Sequence, residues 1–167
     1  MKELPVRKKI RLKGYDYSQS GYYFITICVK DGHEMLGKID VNVGTNCVRP
    51  LLSEIGVVIE NEIYILSNTY DHVFVDKYVI MPNHIHMIIV MTNDGRTMTN
   101  DGRTQFVPTI SRIIKQFKGS STKKIGFSIW QSRFHDYIIR NEEEYRRIWQ
   151  YIDENPAKWA EDCYYIR

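Results

Sequence analysis

The chain has 167 residues, 43% of them hydrophobic, 26% charged and 13% aromatic, with a formal net charge of +3 and twelve tyrosines; this composition excludes disordered, collagenous and membrane-embedded classes. A chain of this size fits one domain, 1–167, and at this length folding buries roughly 70% of the surface that the unfolded chain exposes. No stretch approaches an uninterrupted apolar membrane span, the N-terminus MKELPVRKKIRLKGY lacks the apolar run of a signal peptide, and Cys28, Cys47 and Cys163 show no CxxC spacing, so the expectation is a cytoplasmic protein with reduced thiols, no membrane partner and no cysteine zinc site.

The first 20 residues form a basic arm carrying Arg7, Lys8, Lys9, Arg11 and Lys13. Tyr22 to Val29, YYFITICV, is rich in aromatic and β-branched residues and reads as the first core strand. Met35 to Val43 is a candidate hairpin partner. Leu51 to Leu66 spaces its apolar residues three to four apart and predicts an amphipathic helix. Two β-rich runs, HVFVDKYVI and HIHMIIVM, follow, joined by Met81-Pro82-Asn83. The heptapeptide MTNDGRT then occurs twice, at 91–97 and 98–104; with its Asn-Asp-Gly turn signals it reads as a tandem duplication in an exposed loop, 91–106. Thr109 to Lys118 sets Ile110, Ile113, Ile114 and Phe117 on one helical face, with a second basic run of Arg112, Lys115, Lys118, Lys123 and Lys124. Both basic clusters, Lys115 and Lys118 included, suit a phosphate backbone, and equally a solvated tail and helix face. Phe127 to Ile139 reads as one more strand. Asn141 opens the last helix with Glu144 as capping-box partner, and Pro156 closes it.

This order of strands and helices predicts an α+β fold: a ferredoxin-like, RRM-like antiparallel sheet with the first two helices on one face, followed by a C-terminal helix. The open face of such a sheet is where a site can be built, and a terminal helix packed beside it would bring its residues there. His84 and His86 are two apart in a strand, so both leave the same face roughly 6–7 Å apart, while Ile85 points into the core. Such a pair can share a divalent ion, or can be two partly buried histidines with hydrogen-bond partners. On the last helix Tyr151 and Asn155 share a face at the border of the apolar stripe; they are either a phenol and an amide aimed at the histidines or a boundary tyrosine and a helix-ending asparagine. Trp130, Phe134 and Tyr137 offer stacking surfaces for unpaired bases, or core. His135 precedes the last helix and reads as a surface or packing residue that can approach the site. There is no P-loop, GxSxG or dinucleotide fingerprint, and no small-molecule cofactor is expected.

PNHIH in a strand, followed by WQSRFHDYIIRNEEEYRRIWQYIDENPAKW near the C-terminus, resembles the REP-associated tyrosine transposases, a branch of the one-tyrosine HUH (IS200-like) transposases, over nearly the whole domain. The resemblance implies that His84 and His86 bind a catalytic Mg²⁺ or Mn²⁺, that Tyr151 is the nucleophile, and that Asn155 completes the metal site. It implies a metal-dependent single-strand DNA endonuclease and strand transferase that nicks and rejoins DNA at REP-like hairpins through a 5′-phosphotyrosine, with single-stranded or hairpin DNA as partner and a monomeric or homodimeric state. Two readings from other classes stand beside it. One is a non-catalytic RRM-like nucleic-acid binder, the other a metal-dependent phosphoesterase that uses water.

Overall fold

The computed structural model describes residues 14–39, 48–92 and 108–165. The basic residues Arg7, Lys8, Lys9, Arg11 and Lys13, and the duplicated loop from residue 93 onward, lie outside the described residues. In chain order the elements are β1 (Gly21–Cys28), β2 (Gly37–Lys38), β3 (Leu51–Leu52), α1 (Glu54–Thr69), β4 (Val73–Ile80), β5 (His84–Met91), α2 (Ile110–Ile125), β6 (His135–Ile139) and α3 (Glu142–Glu154), with a 3₁₀ segment at Asn155–Glu161.

The main sheet runs β4-β5-β1-β6 with every neighbouring pair antiparallel. Each half of the chain carries a helix across the sheet before its next strand, α1 between β1 and β4 and α2 between β5 and β6, which is the ferredoxin-like split βαβ arrangement expected. The period-two alternation of the strands divides the interior. Tyr23, Ile25 and Ile27 of β1 and Ile85, Met87 and Ile89 of β5 pack against Ile59, Ile63 and Leu66 of α1 and Ile110, Ile113, Ile114 and Phe117 of α2. On the other face Val79, Ile88, Val90 and Ile139 meet Ile148 and Ile152 of α3 and Trp159 beyond it. Each fully buried Ile on either face stabilises the fold by about 1.5–3 kcal/mol relative to exposure. β5, central in the sheet, is buried along its whole length, so what it carries is rigidly placed.

Local chemistry sets the boundaries. α1 starts at Glu54 rather than Leu51 because Ser53 is its N-cap, its Oγ accepting from Gly56 N at 3.0 Å. Leu51 and Leu52 instead pair with Gly37 and Lys38, so the hairpin partner read at Met35 to Val43 reduces to two described residues and pairs with this ribbon, not with β1. α2 runs past Lys118 to Ile125 and ends on Gly126 at φ 93, a left-handed turn that glycine takes without penalty. Its added turns bury Ser121, which accepts from the Trp130 indole at 2.8 Å, so no apolar period marks them.

The strand read at Phe127 to Ile139 is broken. Trp130 bridges Val29, and the ladder resumes only at His135 opposite Thr26. The chain between the two pairings is longer than the β1 segment it faces, and Lys118 Nζ gathers the Gln131 and Arg133 carbonyls of that excess at 2.8 Å each. α3 has the expected Asn141 cap, accepting from Glu144 N at 2.8 Å. The Glu144 carboxylate reaches back one residue further than a capping box, to Arg140 N at 2.9 Å, and takes the Tyr137 hydroxyl at 2.8 Å. Pro156 does not end the helical path but opens the 3₁₀ segment, which carries the chain under the sheet.

Candidate active site

β5 begins directly after a tight turn closed by Met81 N to His84 O at 2.8 Å. His84 and His86, 0% and 1% exposed, lie on the α3 face, and Ile85 fills the core on the opposite one. Their Nε2 atoms stand 3.0 Å apart. The Nδ1 atoms are tied back, His84 to Asn83 Oδ1 at 2.9 Å and His86 to Thr26 Oγ1 at 2.9 Å. Asn83 fixes the tautomer of His84. Its Nδ2 donates to the Gly32 carbonyl at 3.1 Å and the Tyr164 carbonyl at 2.8 Å, which orients the amide so that Oδ1 faces the imidazole. His84 Nδ1 must then carry the hydrogen, leaving the Nε2 lone pair directed into the site.

Burial lowers the pKa of both imidazoles. His84 falls to about 4, with Asp162 opposing the shift, and His86 lies well below its ordinary value, depressed further by His84. Both are neutral at physiological pH, the form that ligates metals. Asp162 supplies a third donor. One carboxylate oxygen and one nitrogen from each histidine lie within 4.8 Å of one another.

Asn155, read as the residue completing the metal site, sits beside this carboxylate and donates Nδ2 to Asp162 Oδ2 at 2.7 Å, while Tyr164 N donates to Asp162 Oδ1 at 2.7 Å. The Asn155 Oδ1 is buried with no hydrogen-bond partner among the described residues. Asp162 carries no sequence signal, because it follows a 3₁₀ segment and not a helix whose period would place it. Asn83 could have been singled out as the polar residue that enters the histidine strand.

Tyr151 projects from α3 with its hydroxyl 3.2 Å from His86 Nε2 and its ring 5.2 Å from the His86 ring. It is 40% exposed, reachable from outside through a cleft that it lines with Glu154, Asn155, Lys158, Glu161, Asp162 and Cys163. Burial, then the charge of Asp162, pushes its phenol up to about 12, with Asn155 opposing. Phe24 stacks on His86 at 5.3 Å and meets Tyr151 edge-on at 6.1 Å, walling the site on the β1 side. Cys28, opposite His84 in the ladder, is buried and its thiol is pushed up to about 11 by that burial, so it is no competing nucleophile.

The remaining sequence candidates fall elsewhere. Lys115 is exposed on α2, whose layer lies across the sheet from the histidines. Lys118, on the same helix, is engaged with the two loop carbonyls, and burial lowers its amine to about 8. Trp130 is core against Phe117, Phe134 packs against the same core, and Tyr137 is exposed. His135 lies in register with Thr26, hence on the same face as His86.

No family model matches the chain. An uncharacterized protein of Haemophilus influenzae is 32% identical over 96% of this chain and 93% of its own length. A putative REP-associated tyrosine transposase of the same organism is 30% identical over 47% of each chain, so the chain spans about half the length of that relative. Among solved structures, a REP-associated tyrosine transposase bound to a REP hairpin superposes with a TM-score of 0.59 at 21% identity, covering 89% of this chain and 74% of that one, which shows the shared fold. The sequence likeness and the fold point the same way: about half of the chain is similar to REP-associated tyrosine transposases, and its four-stranded antiparallel sheet with helices is shared with a solved one.

Proposed function

We propose that the protein nicks and rejoins single-stranded DNA at hairpin sequences through a covalent bond to Tyr151. The observation that carries this reading is the contact of the Tyr151 hydroxyl with His86 Nε2 at 3.2 Å, beside a cluster of two neutral imidazoles and a carboxylate. The donor set suits a divalent cation. Two Nε2 atoms 3.0 Å apart, at least one tautomerically fixed as a lone pair, lie beside an anionic oxygen, a combination compatible with Mn²⁺ or, less tightly, Mg²⁺. His84, His86 and Asp162 would hold the ion, with the Asn155 oxygen as a further donor in the same wall. Bound there, it would polarise a scissile phosphate oxygen and favour the phenolate form of Tyr151.

The residues of the chain supply the rest. Tyr151 Oη attacks phosphorus, a new phosphorus–oxygen bond forms to the phenol, the bond to the 3′ oxygen breaks, and the phenol proton ends in balance on the released 3′-hydroxyl. The downstream strand stays linked to Tyr151 through its 5′ phosphate. Because the link is itself a phosphodiester, a 3′-hydroxyl can later displace the tyrosine and reseal a strand without ATP. Asn83 and Thr26 hold the imidazoles in orientation, and Asn155 holds Asp162.

The test incubates the protein with labelled hairpin oligonucleotides in Mn²⁺, Mg²⁺ or chelator, beside Tyr151→Phe and His86→Ala. Metal-dependent cleavage with a denaturant-resistant adduct, lost in both variants, is the expected result. Cleavage without an adduct indicates water as nucleophile; binding without cleavage across a varied hairpin panel indicates a non-catalytic binder.

A further inference from the structure

The α3 face of the sheet is only half covered. α3 packs chiefly on β4 and β5; on the neighbouring β1/β6 strip it covers Ile139, and Thr26 is buried, while Tyr22 and Tyr137 stay exposed beside the site. Along this strip the ladder places Phe24 opposite Tyr137 and Tyr22 opposite Ile139, and period-two alternation sends these side chains to the same face as Thr26 and His86. Tyr22 and Tyr137 are 43% and 41% exposed.

Neither ring is loose. The Tyr137 hydroxyl is held by Glu144 at 2.8 Å, and Tyr22 meets the Tyr145 ring edge-on at 5.3 Å while the Tyr145 hydroxyl is held by Asp76 at 2.6 Å. Exposed tyrosines fixed in this way present a flat face without an ordering cost. Phe24 links them to the centre, since its ring touches both His86 and Tyr151. At the far end the strip opens into a cleft of about 470 Å³ lined by Tyr22, Arg140, Arg146 and Tyr145 among others, large enough for a nucleotide. Arg140 and Arg147 also act electrostatically on Tyr137 and Glu144, so cations lie beside the rings even though Glu142, Glu143 and Glu144 open α3.

We propose that Tyr137 and Tyr22 form a stacking platform for two unpaired bases of the DNA strand whose phosphate is presented to Tyr151. This rests on the proposed single-strand DNA activity and names where that strand lies. Base–aromatic stacking tolerates any sequence, because every base has a π face, so the platform grips strand without reading it. Arg140 then meets the phosphate beyond the second base, while Arg146 in the same cleft is paired with Glu142.

The experiment measures binding in chelator, where no cleavage is needed, of an oligothymidylate of about twelve nucleotides and of the abasic strand of equal length. The wild-type protein should prefer the strand with bases. Tyr137→Leu and Tyr22→Leu should each weaken oligothymidylate binding about tenfold and leave abasic binding unchanged, and Tyr137→Phe, which keeps the ring, should stay near wild type. On the unaltered protein, an oligonucleotide bearing 5-iodouracil should photocrosslink to Tyr137 or Tyr22 on peptide mapping. Variants that lose affinity equally for both strands, or lose none, overturn the platform, as do crosslinks confined to other residues. A protein that forms no covalent adduct but shows the base-dependent losses keeps the platform and drops the nuclease.

Discussion

Asn83 decides the chemistry of His84 more than any other single residue. Its amide nitrogen is occupied by two carbonyls and its oxygen takes the His84 Nδ1 hydrogen, so Asn83→Ala frees the ring to flip and removes the donor from two half-buried carbonyls. The expected result is Mn²⁺ binding weakened by about 10–100-fold on calorimetric titration, with a stability loss of about 1–3 kcal/mol in urea. Unchanged Mn²⁺ affinity would remove Asn83 from the site. The buried histidines also predict a pH dependence. Their folded pKa values are depressed below the ordinary 6.5, to about 4 for His84, so the unfolded chain binds more protons across that interval. Their contribution is therefore complete above pH 6.5 and is lost as pH falls toward 4. Denaturation profiles in chelator should lose stability over this window, and a His84→Asn/His86→Asn protein should lose less. Parallel profiles would mean that the imidazoles are not held neutral by the fold.

Among the elements, Gly56 reverses an ordinary rule. An alanine in place of a helical glycine usually stabilises by about 1 kcal/mol, but a Cβ at Gly56 would lie 2.0 Å from the Leu36 carbonyl oxygen. The backbone of α1 packs directly on the chain before β2, so Gly56→Ala should destabilise by about 1–3 kcal/mol, measured as a lower urea midpoint; a gain would show that the contact yields. Asn141→Ala, which removes the α3 cap, should cost about 1 kcal/mol by the same assay. The strong periodicities were readable from sequence: β1, β4, β5, the apolar turns of α2, and α3 with its Asn141 cap all carry them. What was not readable lacks a period. Phe127 to Phe134 alternates like a strand, yet Ile129 and Trp130 are core while the residues after them form a detour held by Lys118. The site was legible in His84, His86 and Tyr151, whose convergence follows from strand alternation and helix phase. Asp162 was not, because its place depends on how a 3₁₀ segment folds back under the sheet.

For the molecule as a whole, two layers of different purpose share one sheet. The α1/α2 layer buries the larger apolar core, and the thinner α3 layer closes over the histidines while leaving Tyr22 of β1 and Tyr137 of β6 exposed. No helix among the described residues is long and apolar enough to cross a membrane. The role proposed for this arrangement is to join DNA covalently to one phenol. Its most direct measurement is peptide mapping by mass spectrometry of the protein–DNA adduct trapped with a hairpin oligonucleotide in Mn²⁺. The account predicts a nucleotide phosphate on Tyr151 and none on Tyr145, Tyr164 or Tyr137; a modified peptide carrying the phosphate on any other residue, or no adduct under conditions where the DNA is cut, would contradict it.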